Sequence, residues 1–212
     1  MRNFQLPYRW ALVLVIVLHL VGFFGWHSSW SSLISILTPV HLLITFWLLF
    51  QFSGATTTVR FRLLLVYALG LGVEFLGVHT GYPFGFYAYL EGLGPMVWDV
   101  PWMIGVNWAI LALATAQWVK AYLPEFNRWQ RVLVASVLMV LLDLLIEPVA
   151  PQLRFWIFAG GHGWMNSLGW LGTSLVMQCL LADEVEGENR LALPILLSQA
   201  IFFAGFHLWP AA

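Results

Sequence analysis

Apolar residues come in seven long, nearly unbroken runs, separated by short stretches in which glycine, proline, aromatic and charged residues gather. The runs are Pro7–Gly25, Ser32–Phe52, Val59–Val78, Pro101–Leu123, Gln130–Ile146, Trp164–Leu181 and Leu191–Trp209. Each approaches the roughly 20 residues that a helix needs to cross a hydrocarbon core. Strands of a membrane barrel would alternate apolar and polar positions over ~10-residue segments, and these runs do not. The pattern predicts an all-α, polytopic transmembrane helical bundle of about seven spans, one domain over residues 1–212, with no strands. The basic start at Arg2 and Arg9, ahead of an apolar run, has the shape of a secretory leader. No small-x-small cleavage pattern follows it, so it is read as a retained first span.

Composition agrees with that reading. The chain is 61% hydrophobic and 9% charged, against the roughly 25% charge that a soluble domain uses to cover its surface. Its outer surface must therefore face lipid. Net charge is −1 and no basic run exists, which excludes a nucleic-acid partner. The single cysteine, Cys179, sits in an apolar run as a small buried hydrophobe, so no internal disulfide is expected. No CxxC, HExxH or histidine-rich box occurs, so no metal centre is expected.

The basic residues set an orientation. Arg2, Arg9, Arg60, Arg62, Lys120, Arg128, Arg131 and Arg190 fall on one side when the seven runs alternate, leaving Arg154 on the other. The positive-inside rule then puts the N-terminus in the cytoplasm and the C-terminus outside. This is the arrangement expected in a bacterial or archaeal cytoplasmic membrane. Two connections on the outer side, Thr80–Pro101 and Pro148–His162, are apolar and aromatic rather than solvated. They are expected to pack against the mouth of the bundle, where irregular backbone is shielded from lipid. Asp183–Asn189 reads as a solvated acidic turn.

Acids inside a membrane are costly and therefore candidates for function. Glu74 lies late in the third run; Asp143 and Glu147 lie late in the fifth, one helical turn apart on one face. Both runs head outward, so Glu74 and Glu147 share a depth near the outer interface. Desolvation penalises an ionised carboxyl group, and a second carboxylate nearby adds to the penalty. Such acids suit proton donation at neutral pH. Asp99 lies in the first outer loop, and His79 follows Glu74 by about 140° around the helix. Asn107 and Asn166 are lone intramembrane amides that can hold a carboxyl group, a water or another helix. His19 and His41 are isolated mid-run histidines, read as interhelical hydrogen-bond partners. Of 13 tryptophans, many fit an interfacial belt. Trp98, Trp102, Trp108, Trp156, Trp164 and Trp170, with Tyr82, Tyr87 and Tyr89, lie on or near the outer side, and some of them also suit the lining of a pocket for an apolar, cationic intermediate.

Three blocks of these residues resemble one known family. Glu74-Phe-Leu-Gly77-Val-His79-Thr80-Gly81-Tyr-Pro83-Phe84-Gly85-Phe-Tyr87-Ala-Tyr89 continues through Leu93-Gly94-Pro95, Val100-Pro101 and Asn107-Trp108. Asp143-Leu-Leu-Ile-Glu147-Pro148-Val-Ala150 forms a second block, and Asn166-Ser-Leu-Gly169-Trp170 a third. Together they are similar to the signature of a carotenoid-biosynthesis membrane family that includes the carotenoid 1,2-hydratases and bisanhydrobacterioruberin hydratases. The blocks run from Glu74 to Trp170, about half the chain. The resemblance implies cofactor-free addition of water to a terminal C=C of a carotenoid or other polyene lipid, inside membrane lipid. Glu74 or Asp143 would give the proton, with Glu147 as its partner or positioning water. Tyr87, Tyr89, Trp108, Asn166, Trp170, His79, Asp99 and Asn107 would surround the substrate. A C40 polyene is about as long as the hydrocarbon core is thick, ~30 Å, so its end would reach acids near one face. Three other readings remain: a lycopene-cyclase-like enzyme that excludes water after the same protonation, a proton-coupled membrane transporter, and a structural or assembly membrane protein.

Overall fold

A computed structural model describes residues 6–160, 163–185 and 189–210. Seven helices occupy the seven apolar runs: α1 (Tyr8–Trp26), α2 (Ser31–Gln51), α3 (Thr57–Thr80), α4 (Met103–Tyr122), α5 (Arg128–Ile146), α6 (Trp164–Leu181) and α7 (Ala192–Leu208). Their limits follow local chemistry. Thr56 caps α3 by accepting from the Val59 N–H at 3.2 Å. Asn127 and Gln130 form a capping box at the start of α5. Gly81, at φ 74°, ends α3 in the left-handed conformation that glycine adopts without strain.

The protein is a helical membrane protein. Its helices α1, α2, α3 and α5 are long and apolar enough to cross a membrane, and α7 is apolar but shorter. Leu20, Ile36, Leu76 and Ile201 project large apolar side chains outward from the bundle, as a lipid-facing surface requires. Helix α4 is the buried centre of the bundle. It packs against α2, α3, α5, α6 and α7, and nearly all of it is buried. It meets protein rather than lipid, so it can carry Asn107, Thr115 and Gln117. Gln117, for example, donates to the Ser53 carbonyl at 2.9 Å and accepts from Asn189 at 2.7 Å.

The expectation of no strands needs correction. Two short antiparallel ribbons occur: β1 (Tyr87–Tyr89) with β4 (Trp156–Phe158), and β2 (Met96–Val97) with β3 (Val100–Pro101). Tyr87 and Trp156 are buried in the β1–β4 ribbon, so backbone polar groups beside them must pair with each other, whereas both residues of β2 are exposed. Segments of two or three residues are too short to register as an alternating pattern. The β2–β3 turn, Trp98-Asp99, has positive φ at both residues, 50° and 62°, as a two-residue hairpin with matching twist requires. The two long loops clasp across one end of the bundle. Leu90 N–H donates to the Phe155 carbonyl at 2.8 Å, Gly92 N–H to the Arg154 carbonyl at 2.7 Å, and Ala159 N–H to the Phe86 carbonyl at 2.8 Å. Arg154 also meets Glu91 at 2.7 Å. The expected packing of these loops over the bundle mouth is what the structure shows; His162 lies outside the described residues.

The acidic turn at the opposite end is also more than a solvated loop. Asp183 pairs with Arg128 and Glu184 with Arg62, each at 3.0 Å. Both arginines reach carbonyls in the last turn of α6 as well, where the helix dipole favours cations. Glu186 and Glu188 lie outside the described residues.

Gly92 fixes the approach of the two long loops, because a Cβ there would stand 2.4 Å from the Leu153 carbonyl oxygen and 2.7 Å from that of Arg154. Gly92→Ala should destabilise the protein by about 1–3 kcal/mol, read as a lower thermal unfolding midpoint in detergent. Gly72→Ala, where an added Cβ meets nothing within 4 Å, should leave the midpoint unchanged or raise it.

Candidate active site

Glu74 lies six residues before the end of α3, about 9 Å below the clasped loops at 1.5 Å per residue. It is 3% exposed. A bare carboxyl group there would be expensive, and the structure gives it three donors. Tyr87 and Tyr89 donate their phenol O–H groups to Oε2 at 2.5 and 2.7 Å. The Trp108 indole N–H donates to Oε1 at 2.9 Å. The strand alternation of β1 explains the tyrosine pair: residues two apart point the same way, so both phenols reach one carboxyl group. Burial, and next the Glu74 carboxylate, push both phenols well above their ordinary range. Each keeps its proton and serves as a donor.

Close packing makes this meeting possible. At Gly77 a Cβ would stand 2.5 Å from the Tyr87 hydroxyl, and at Gly70 it would stand 2.8 Å from the Trp108 ring. Gly169 leaves room for Phe84 in the same way, since a Cβ there would stand 2.6 Å from its ring. Trp108 stacks on Trp170 with ring centroids 3.9 Å apart, which fixes the indole that holds Glu74.

The α5 acids sit beside this group. Asp143 is fully buried and accepts from the Asn166 amide at 2.8 Å through Oδ2; its Oδ1 has no hydrogen-bond partner among the described residues. Glu147 caps α5 and is 3% exposed. Asp143 lies within electrostatic reach of both Glu147 and Glu74. Because Asp143 takes the NH2 end of Asn166, the Asn166 carbonyl is left for another donor.

Beside these side chains is a small chamber lined by Glu74, Tyr87, Tyr89, Asn166, Phe84, Trp156, Phe158, Trp170 and Ile104, with a volume of ≈ 10 Å³, room for about one water. Its lining combines polar groups with aromatic rings. A larger apolar groove of ≈ 210 Å³ between α1, α2, α4 and α7 shares Ile104 and Trp156 with the chamber.

The structure thus brings together Glu74, Asp143, Tyr87, Tyr89, Trp108, Asn166 and Trp170, with Glu147 alongside. It does not bring in the other three sequence candidates. His79 is partly exposed, bonded to the Phe75 carbonyl at 2.9 Å, with Asp99 4.0 Å away at the solvent-exposed tip of the β2–β3 hairpin. The 140° offset along α3 already points His79 away from Glu74. Asn107 lines the large groove instead, since neighbours on a helix diverge by about 100° and Trp108 takes the inward direction. Trp156, one of the outer tryptophans weighed as a pocket lining, and Phe84 of the first block also line the chamber, whereas Phe158 and Ile104 carry no sequence expectation. The spacing of Trp156 and Phe158, two apart like Tyr87 and Tyr89, was the available signal. Their register partners are Tyr89 and Tyr87 respectively.

A family model described as carotenoid biosynthesis protein matches residues 30–210. A bisanhydrobacterioruberin hydratase from Haloarcula japonica is 36% identical over 107 residues, which cover 47% of this chain and 36% of that protein. The chain therefore matches little more than a third of the length of that curated relative. No solved structure matches.

Removing one donor leaves a buried carboxyl oxygen short of a partner. Tyr87→Phe and Tyr89→Phe should each destabilise the fold by about 1–3 kcal/mol, measured by denaturant unfolding in detergent. The double variant should depart from additivity, because both phenols bind the same oxygen.

Proposed function

This chain belongs to the carotenoid biosynthesis protein family, and from that membership we propose that it adds water across a terminal C=C of a long polyene. The observation that carries the proposal is Glu74: a buried carboxyl group, held by three donors, in a largely aromatic chamber that shares Ile104 and Trp156 with an apolar groove. The groove suits a hydrocarbon chain, and the chamber suits its reacting end.

The reaction balances with Glu74 alone as acid and base. Its carboxyl proton goes to C-2 of a terminal isopropylidene pair, and the π electrons form the new C–H bond. The positive charge falls on C-1, a tertiary carbon faced by Trp156, Phe158, Phe84 and Trp170. Ring faces attract such a cation. The carboxylate left behind is stabilised by Tyr87, Tyr89 and Trp108, which bind the anion more strongly than the acid. Interactions that strengthen along the reaction are the ones that speed it. A water oxygen then bonds to C-1 while one of its protons returns to Glu74. The sum is one C=C and one water converted into a tertiary alcohol.

Asn166 serves as a positioning residue. Its amide is locked by Asp143, so its carbonyl oxygen can accept from the attacking water. Asp143 acts through that lock, with Glu147 one helical turn further along α5. The membrane in question is proposed to be a bacterial or archaeal cytoplasmic membrane, with the clasped loops on its outer side.

Expression in a lycopene-producing host, followed by mass analysis of the extracted pigment, tests this. The expected product is heavier than its precursor by one water. A product of unchanged mass with new ring end groups would establish cyclisation instead. Glu74→Gln should lower turnover by about 10²–10⁴-fold, the usual share of a general acid, with the protein still folded. Asp143→Asn should lower turnover less. Full activity in Glu74→Gln would overturn the assignment.

A further inference from the structure

The large groove is not uniformly greasy. His19 on α1, His41 and Thr45 on α2, and Gln199 on α7 all line it, although each lies within an apolar run. The histidines, expected to be isolated, stand edge-on to each other with centroids 4.6 Å apart. His19 binds the Val15 carbonyl through Nδ1 at 2.8 Å, which makes Nδ1 the donor and leaves Nε2 as an acceptor. Thr45 is 1% and Gln199 6% exposed. The Thr45 hydroxyl and the Gln199 carbonyl oxygen are buried with no hydrogen-bond partner among the described residues. Buried polar atoms are almost always paired, so two orphaned atoms beside a cavity point to a ligand that pairs with them.

Position narrows the ligand. The groove extends from Trp26 and Ile34 near the clasped loops down to Thr45. Thr45 lies 14 residues into α2, about 20 Å along its axis. His41 and Thr45, four apart, share one helix face. The orphaned Gln199 oxygen needs a donor, and the Thr45 hydroxyl can give or take. One alcohol O–H meets both demands: it donates to a carbonyl oxygen and accepts from a hydroxyl. A ketone offers no donor, and a hydrocarbon offers nothing.

We propose that Thr45 and Gln199, flanked by His19 and His41, form a hydroxyl-recognition subsite in the substrate groove. The chain bound there is an isoprenoid that carries an alcohol some way from its reacting double bond. This inference rests on the reading that the groove holds the chain whose end reacts at Glu74. Ile104 and Trp156 line both spaces, so the groove and the chamber are neighbours.

The test is competition at the purified, intact protein in detergent. Lycopene is bound first and followed by its absorption band. It is then displaced with geranylgeraniol, or with the same C20 chain bearing hydrogen in place of the hydroxyl. Geranylgeraniol should displace lycopene at about tenfold lower concentration, the value of roughly one net hydrogen bond. In the Thr45→Val, Gln199→Leu double variant that preference should vanish, while displacement by the hydrocarbon stays unchanged. Equal displacement by both C20 chains in the parent protein overturns the subsite, and so does a preference that survives in the double variant. Both results leave the polyene reading standing. Failure of lycopene to bind at all overturns the polyene reading and the subsite together.

Discussion

The architecture turns on one constraint: a carboxyl group placed among hydrocarbon must be given donors. Glu74 sits on a helix whose neighbouring side chains are largely apolar, and nothing on α3 itself can satisfy it. Its partners come from two other elements, the strand β1 and the central helix α4. That requirement explains why the loop after α3 folds inward instead of standing in solvent. It also explains why glycine occupies Gly70 and Gly77, where any side chain would strike Trp108 or Tyr87. The pairing of β1 with β4 then fixes the tyrosines from behind, and carries Trp156 and Phe158 to the same chamber.

Two spaces of opposite character result. The chamber offers a fixed arrangement of an acid, two phenols, an amide and aromatic faces. The groove offers a long apolar bed with a few polar atoms far down it. Ligand sites commonly combine apolar walls with a small number of placed polar groups, and here the division is spatial: chain in one space, chemistry in the other. The acids near the clasped loops lie where a membrane-embedded chain end could meet water.

Much of the fold was legible because a membrane helix announces itself by length and apolarity, and all seven observed helices lie on the seven runs. Glu74, Asp143 and Glu147 were legible for the same reason, as charges where charge is costly. Tyr87, Tyr89, Trp108, Asn166 and Trp170 came from the family resemblance and from aromatic composition, and the structure supplied their contacts. What the sequence hid was pairing between distant short segments. Tyr87 and Phe158 are partners across a ribbon three residues long, too brief to create a periodic signal. His79 and Asp99 looked close to Glu74 along the chain but point elsewhere, because helix geometry and a hairpin turn separate them. The polar atoms of the groove, on three separate helices, were individually unremarkable until α1, α2 and α7 placed them around one cavity.

The central claim is that an exchangeable proton from a buried acid reaches carbon before water does. Running the reaction in heavy water tests this most directly. The account predicts an alcohol with one non-exchangeable deuterium on the carbon next to the one that bears oxygen. An alcohol formed without deuterium at that carbon would contradict it.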